Sequence, residues 1–187
     1  MKIETKKWYR FMAPRLTVLV STCDKEKRAN AAPFSFCMPV SVDPPLLAIA
    51  SAFKRHTLAN IRETKQFVIN IPGEDQLEGL WKCSEPLEKG EDEIAYAGLT
   101  PVSSRIVHPP CIAECAAWFE CELEWEKDAG DHVIVVGRVV NAEARDEFVM
   151  ENGGFNIAAA KPLLHVGGRN FTIGERRVTA KSKTSET

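Results

Sequence analysis

The chain has 187 residues, of which 44% are hydrophobic and 27% charged, and its formal net charge is −2. That composition suits a single ordinary globular domain with a sizeable core, and the near-neutral balance gives no reason to expect nucleic acid or an anionic membrane as a partner. No apolar run approaches the roughly 20 residues needed to span a bilayer, and MKIETKKWYR lacks the apolar core of a signal peptide, so a cytoplasmic protein is the simplest expectation.

In chain order, residues 16–22 (LTVLVST) read as a buried strand and 24–27 as a charged turn. The chain returns from Arg28 as a second strand, a hairpin that feeds the segment NAAPFS at 30–35. Small residues, one proline and short polar side chains there let backbone approach a flat ligand. Phe34 and Phe36 flank Ser35, so alternation lets one face pack the core while the other meets ligand, although both rings also suit a core. Asp43-Pro44-Pro45 is a turn that launches the apolar run 46–51, of strand length.

The stretch 51–57 (SAFKRHT) precedes a helical pattern beginning near Leu58, with Thr57 as its N-cap. Unpaired N–H groups and the positive end of the helix dipole, joined by Lys54, Arg55, Ser51 and Thr57, make a phosphate-binding combination. The same residues also suit a capped, solvated surface helix.

Residues 67–71 (FVINI) form a strand closed by Pro72-Gly73, and Leu77, Leu80 and Trp81 mark a helix stripe in 74–84. Residues 85–90 read as a loop and 91–97 as a short helix stopped by Gly98. Glu91, Asp92 and Glu93 are expected as a solvated first turn complementing the dipole. Residues 100–107 read as a strand broken by His108-Pro109-Pro110. Two strands, 112–127 and 132–142, make a second hairpin across residues 128–131. Glu120, Glu122, Glu124 and Glu126 are expected to face outward, and Glu114 to make a structural ion pair or hydrogen bond. The six cysteines fit buried free thiols better than disulfides or zinc, because no second Cys/His pair stands near the C-x3-C of Cys111 and Cys115. Cys37 is open to packing, ligand contact or a redox role. Six or more strands with hairpin signals and a few short helices argue for a closed antiparallel barrel with helical additions.

NAAPFSF, PVSVDPPLLAIA, KRHTLANI and FVINIP stand in this order and spacing, followed by GEDEIAYAGLT, PCIAECAAWFEC, DHVIVVGRV and KPLLHVGGRNF. The ordered set resembles the flavin reductase-like family, the FMN-binding split β-barrel group that includes flavoredoxins and NAD(P)H:flavin oxidoreductases. The resemblance covers roughly residues 16–171. It implies a mainly β fold, an antiparallel Greek-key-like split barrel with a few short helices, in one domain over 1–187 with its core at about 12–173 and a polar tail at 176–187.

The resemblance also implies an FMN cofactor, bound or used as substrate, with NAD(P)H as electron donor and a homodimer as the assembly. Asn30, Ala31, Pro33, Ser35 and Phe36 become candidate contacts to the flavin ring and ribityl chain, and Ser51, Lys54, Arg55 and Thr57 to the FMN phosphate. His132 becomes the candidate for the nicotinamide side, against the alternative of a surface histidine at a strand start. No residue is expected as general acid or base, because hydride transfer is the cofactor's chemistry. A flavoredoxin-like carrier that passes electrons to a protein partner or a ferric chelate is the alternative activity. Where relatives carry a tyrosine after Gly-Gly, this chain has Phe171, so any hydroxyl role there is lost. His165 and Arg169 are weaker candidates for ligand or partner contact.

Overall fold

The computed structural model describes residues 1–87 and 91–180. Part of the expected 85–90 loop and most of the polar tail therefore lie outside the described residues. A 3₁₀ turn at Thr5–Phe11 leads into β1 (Arg15–Leu16), β2 (Val18–Cys23) and β3 (Ala29–Phe34). The β2–β3 hairpin pairs Val18 with Phe34 through to Cys23 with Ala29. Its turn is held by Asp24, whose carboxylate accepts from the Arg28 N–H at 2.9 Å and from Arg28 Nε at 2.7 Å. Then follow β4 (Cys37–Ser41), β5 (Leu46–Ala52), α1 (His56–Thr64) and β6 (Gln66–Asn70). A second 3₁₀ turn runs into α2 (Leu77–Lys82), followed by α3 (Glu93–Ala97), β7 (Pro101–Val102) and β8 (Cys111–Ile112). The long hairpin of β9 (Ala117–Ala129) and β10 (His132–Ala144) precedes α4 (Ile157–Ala160), β11 (Leu163–Gly167) and β12 (Asn170–Ile173).

Seven strands form one antiparallel sheet in the order β3-β2-β6-β9-β10-β5-β4. Laid flat, β3 and β5 would lie about 24 Å apart at the usual strand spacing. Instead Phe34 of β3 and Leu47 and Ile49 of β5 share one core cluster with Val18, Val20, Phe67, Ile69, Val133 and Val135. The sheet is curled into a split barrel, and Leu58 and Ile61 of α1 plug the same core. Gly137 permits the closure, since a Cβ there would collide with the Phe67 ring.

A second core lies outside the barrel wall. Leu19 and Ala31 meet Leu80, Ile94 and Leu99 from α2, α3 and the turn after α3. This explains why β2 is buried on both faces and reads as a continuous apolar run. No helix among the described residues is long and apolar enough to cross a membrane.

Three expectations need correcting. Only Pro101–Val102 of the 100–107 stretch is strand, and the residues beyond it are bends that cover β9. The strand expected from residue 112 begins at Ala117, after a turn. Glu120 does not face outward but is buried beneath those bends. Cys37 is half-buried against the barrel core, and burial pushes its thiol up to about 11, so packing accounts for it. The other five cysteines are buried and all six are free. Glu114 accepts a hydrogen bond from the Thr100 N–H at 3.1 Å, as a structural role requires.

Candidate functional site

A cavity of about 500 Å³ opens where β3 and the link to β4 face the end of β5 and the start of α1. That volume lies in the range of small-molecule sites. Asn30, Ala31, Pro33, Ser35 and Phe36 form one wall. Ser51, Lys54, Arg55 and Thr57 form another, and His132 stands at the start of β10. The pairing of His132 with Ala52 at the end of β5 brings the histidine to this rim. All ten candidate residues therefore line one space, although they come from three stretches up to about 100 residues apart in the chain.

The α1 end is built for an anion. The first intrahelical bond runs from the Ala59 N–H to the Arg55 carbonyl at 3.1 Å, which leaves the N–H groups of His56, Thr57 and Leu58 ahead of the ladder. The N-cap is Arg55, in extended conformation, and no side chain caps the helix. This corrects the assignment of Thr57 as N-cap. Thr57 sits at the second position of the first turn, buried, with its hydroxyl against Asn30 rather than on its own backbone. Lys54 and Arg55 are exposed, and neither pairs with a carboxylate among the described residues.

At the other end the wall is aromatic. β3 stops at Phe34, whose ring enters the barrel core, and the bend at residues 35–36 turns Phe36 outward. The alternation expected across Phe34 and Phe36 is broken by that bend, not by strand parity. The Phe36 ring lies 5.5 Å from the His132 ring and 5.6 Å from the Arg15 guanidinium. Asp131 Oδ1 stands 2.7 Å from His132 Nδ1, leaving Nε2 as the nitrogen with no such partner. Ser35 is braced from behind by His165, 3.3 Å from its hydroxyl. Of the two weaker candidates, His165 thus supports the wall, while Arg169 stacks 5.3 Å over Trp81.

The sequence profile of the flavin reductase like domain matches residues 10–174. The chain belongs to the flavin reductase-like family. Among solved structures, nitrilotriacetate monooxygenase component B from Bacillus cereus is 25% identical with a TM-score of 0.86, covering 96% of this chain and 95% of that one. The 2-nitrobenzoate 2-nitroreductase of Pseudomonas fluorescens is 27% identical with a TM-score of 0.86, covering 99% and 95%. Flavoredoxin of Desulfovibrio vulgaris shares the fold at 21% identity and a TM-score of 0.83, with both chains fully covered.

His56 and Glu93 are among the lining residues of this family member that were not foreseen. His56 follows the two cations at the helix start. Glu93 reaches the cavity from α3, and it corrects the reading of residues 91–93 as a solvated turn. Asp92 is the N-cap of α3, accepting from the Ile94 and Ala95 N–H groups at 3.0 Å each. Glu93, one position on, is buried instead. The amide of Asn30 satisfies most partners when Nδ2 donates to Glu93 Oε1 at 2.9 Å and Oδ1 accepts from the Thr57 hydroxyl at 3.2 Å and the Ala31 N–H at 3.1 Å. Burial, then the charges of Asp92 and Glu91, pushes the Glu93 carboxyl above its ordinary value. The signal was in the helix period, because Glu93 shares the stripe of Ala97, four residues on, and Ala97 packs in the second core.

Proposed function

We propose that this protein is an FMN-dependent oxidoreductase that moves electrons from NAD(P)H to flavin, built as one flavin-binding domain. The observation that carries the reading is the joining, in one cavity, of an uncapped helix start beside two cations unpaired among the described residues with an aromatic wall. An FMN fits that donor set. Lys54, Arg55 and the N–H groups of His56, Thr57 and Leu58 would hold its phosphate. Residues of the 30–36 stretch would line the ring with small side chains and backbone. Bound FMN would supply the chemistry, its N5 accepting a hydride from nicotinamide C4. The chain's own task is to place two rings face to face, and His132, with Nε2 available over the rim, would orient the nicotinamide.

Met38 and Val40 on edge strand β4, with Val42 just beyond it, expose apolar surface. That surface supports a homodimer of the kind expected for the family.

The test is an absorbance spectrum of the purified protein, followed by anaerobic addition of NADH and then NADPH. Flavin bands that bleach with either nucleotide support the reductase and name its donor. Bands that persist with both contradict it and favour an electron carrier fed by another protein.

A further inference from the structure

Among the described residues, Glu93 is the one cavity-lining carboxylate buried in the wall with half of its hydrogen-bonding capacity unused. Its side chain is 9% exposed. Oε1 takes the Asn30 amide at 2.9 Å, and Oε2 is shut from bulk water with no donor among the described residues. The neighbours on every packed element leave it so. From α1, His56 Nδ1 comes no nearer than 4.0 Å. The Cys83 thiol, after α2, donates instead to the Glu93 backbone carbonyl at 3.8 Å. On its own helix Asp92 adds negative charge. An acceptor held in this way, without a protein donor, is costly to the fold. It is the mark of a group whose partner arrives with the ligand.

The chemistry of that partner is constrained. Ionised, a carboxylate oxygen accepts and does not donate, and it repels phosphate. Phosphate is already provided for by the unpaired helix N–H groups and the two cations. What remains is a ligand atom with an O–H or N–H to give, between the anionic end and the ring wall. Accepting FMN as the ligand, as this inference does, the ribityl chain is the part that carries hydroxyls between phosphate and ring.

We propose that Glu93 reads the polyol of the bound flavin: the carboxylate pivots on Oε1, held by Asn30 and Thr57, so that Oε2, covered in the empty cavity, accepts a hydrogen bond from one ribityl hydroxyl. Glu93 is thereby a specificity residue for a sugar-alcohol phosphate carrying a flat ring, and the Thr57 hydroxyl acts through Asn30 on the carboxylate while the Thr57 N–H stays with the phosphate.

A ligand-and-protein mutant cycle tests this. Wild type, Glu93→Ala and Glu93→Leu are titrated at equilibrium with FMN and with three FMN analogues lacking the 2′, 3′ or 4′ hydroxyl. Folding of each variant is checked by circular dichroism, and Glu93→Leu fills the volume without a hydrogen-bonding atom. Wild type is expected to bind one analogue about tenfold more weakly than FMN, as loss of a hydrogen bond to a charged group implies. Either variant is expected to bind that analogue and FMN alike. Variants that discriminate the analogues as wild type does would overturn the role of Glu93 while leaving the FMN site standing. Failure of wild type to bind FMN at all would overturn both.

Discussion

Glu120 and Glu93 are both buried glutamates, and their surroundings are opposite. Glu120 lies on the outer face of β9 under the bends that follow β7, and its oxygens accept from the N–H groups of Arg105, Ile106 and Val107 at 2.9, 2.7 and 3.0 Å and from Asn141 Nδ2 at 2.9 Å. Burial pushes its carboxyl up, but these donors outweigh that and hold it below the ordinary 4.5. Glu93 has Asn30 on one oxygen and no donor among the described residues on the other, and its carboxyl is raised from the same 4.5. The difference separates two uses of a buried charge. One is spent wholly on ordering backbone and belongs to the fold, while the other is left half-made beside a cavity and belongs to a ligand.

The sharpest way to break the comparison is Glu120→Ala. It orphans three backbone N–H groups, the buried one of Val107 and the part-buried ones of Arg105 and Ile106, so a loss of about 3 kcal/mol is expected, read as a lower urea midpoint at unchanged slope. Because the folded carboxyl titrates low, its contribution is present above 4.5 and is lost as pH falls through the folded value. The variant should therefore have a flatter acid limb than wild type. A variant within experimental error of wild type at pH 7 would end the structural assignment.

Next in size is the anion end of the cavity. Arg55→Ala and Lys54→Ala should each weaken FMN binding about tenfold, measured by equilibrium titration, since each removes one charge-assisted contact. Unchanged affinity in both would remove the phosphate assignment.

A third expectation carries the opposite sign to that of Glu120. Glu93→Leu should gain about 1 kcal/mol at neutral pH, because an unsatisfied buried acceptor is removed. The raised folded value means that the carboxyl's contribution is complete below 4.5 and is lost as pH rises through the folded value. Urea unfolding at pH 4 and pH 7 should show the advantage of the variant growing with pH, and a shrinking advantage would contradict the pairing. Smallest on binding is His132→Ala, which should leave FMN affinity within about twofold, as for a half-buried side chain at the rim, while lowering NAD(P)H oxidation. The reverse pattern would count against its place on the nicotinamide side.

Much of this site was legible from the chain. The 30–36 stretch, the SAFKRHT segment and His132 carry local signals of strand end, helix start and turn, and β pairing brings them together. What was not legible depended on what covers what. Glu120 alternates with Cys121 and so reads as outward, until the irregular residues 103–110 fold over that face. Glu93 looked like one of three dipole-complementing acids, yet only Asp92 caps α3, and the next position turns inward with Ile94 and Ala97. Thr57 reads as a cap by its residue type, whereas burial against Asn30 moved the boundary back to Arg55. In each case tertiary contact, not local propensity, decided where a polar side chain found its partner.

The most direct measurement is an equilibrium titration of the flavin-stripped wild-type protein with FMN, followed by flavin absorbance and fluorescence, with Arg55→Ala and riboflavin as controls. The cavity as described predicts saturable one-to-one binding that weakens both when the cation is removed and when the ligand lacks its phosphate. Equal binding of FMN and riboflavin by wild type, or no saturable binding at all, would contradict it.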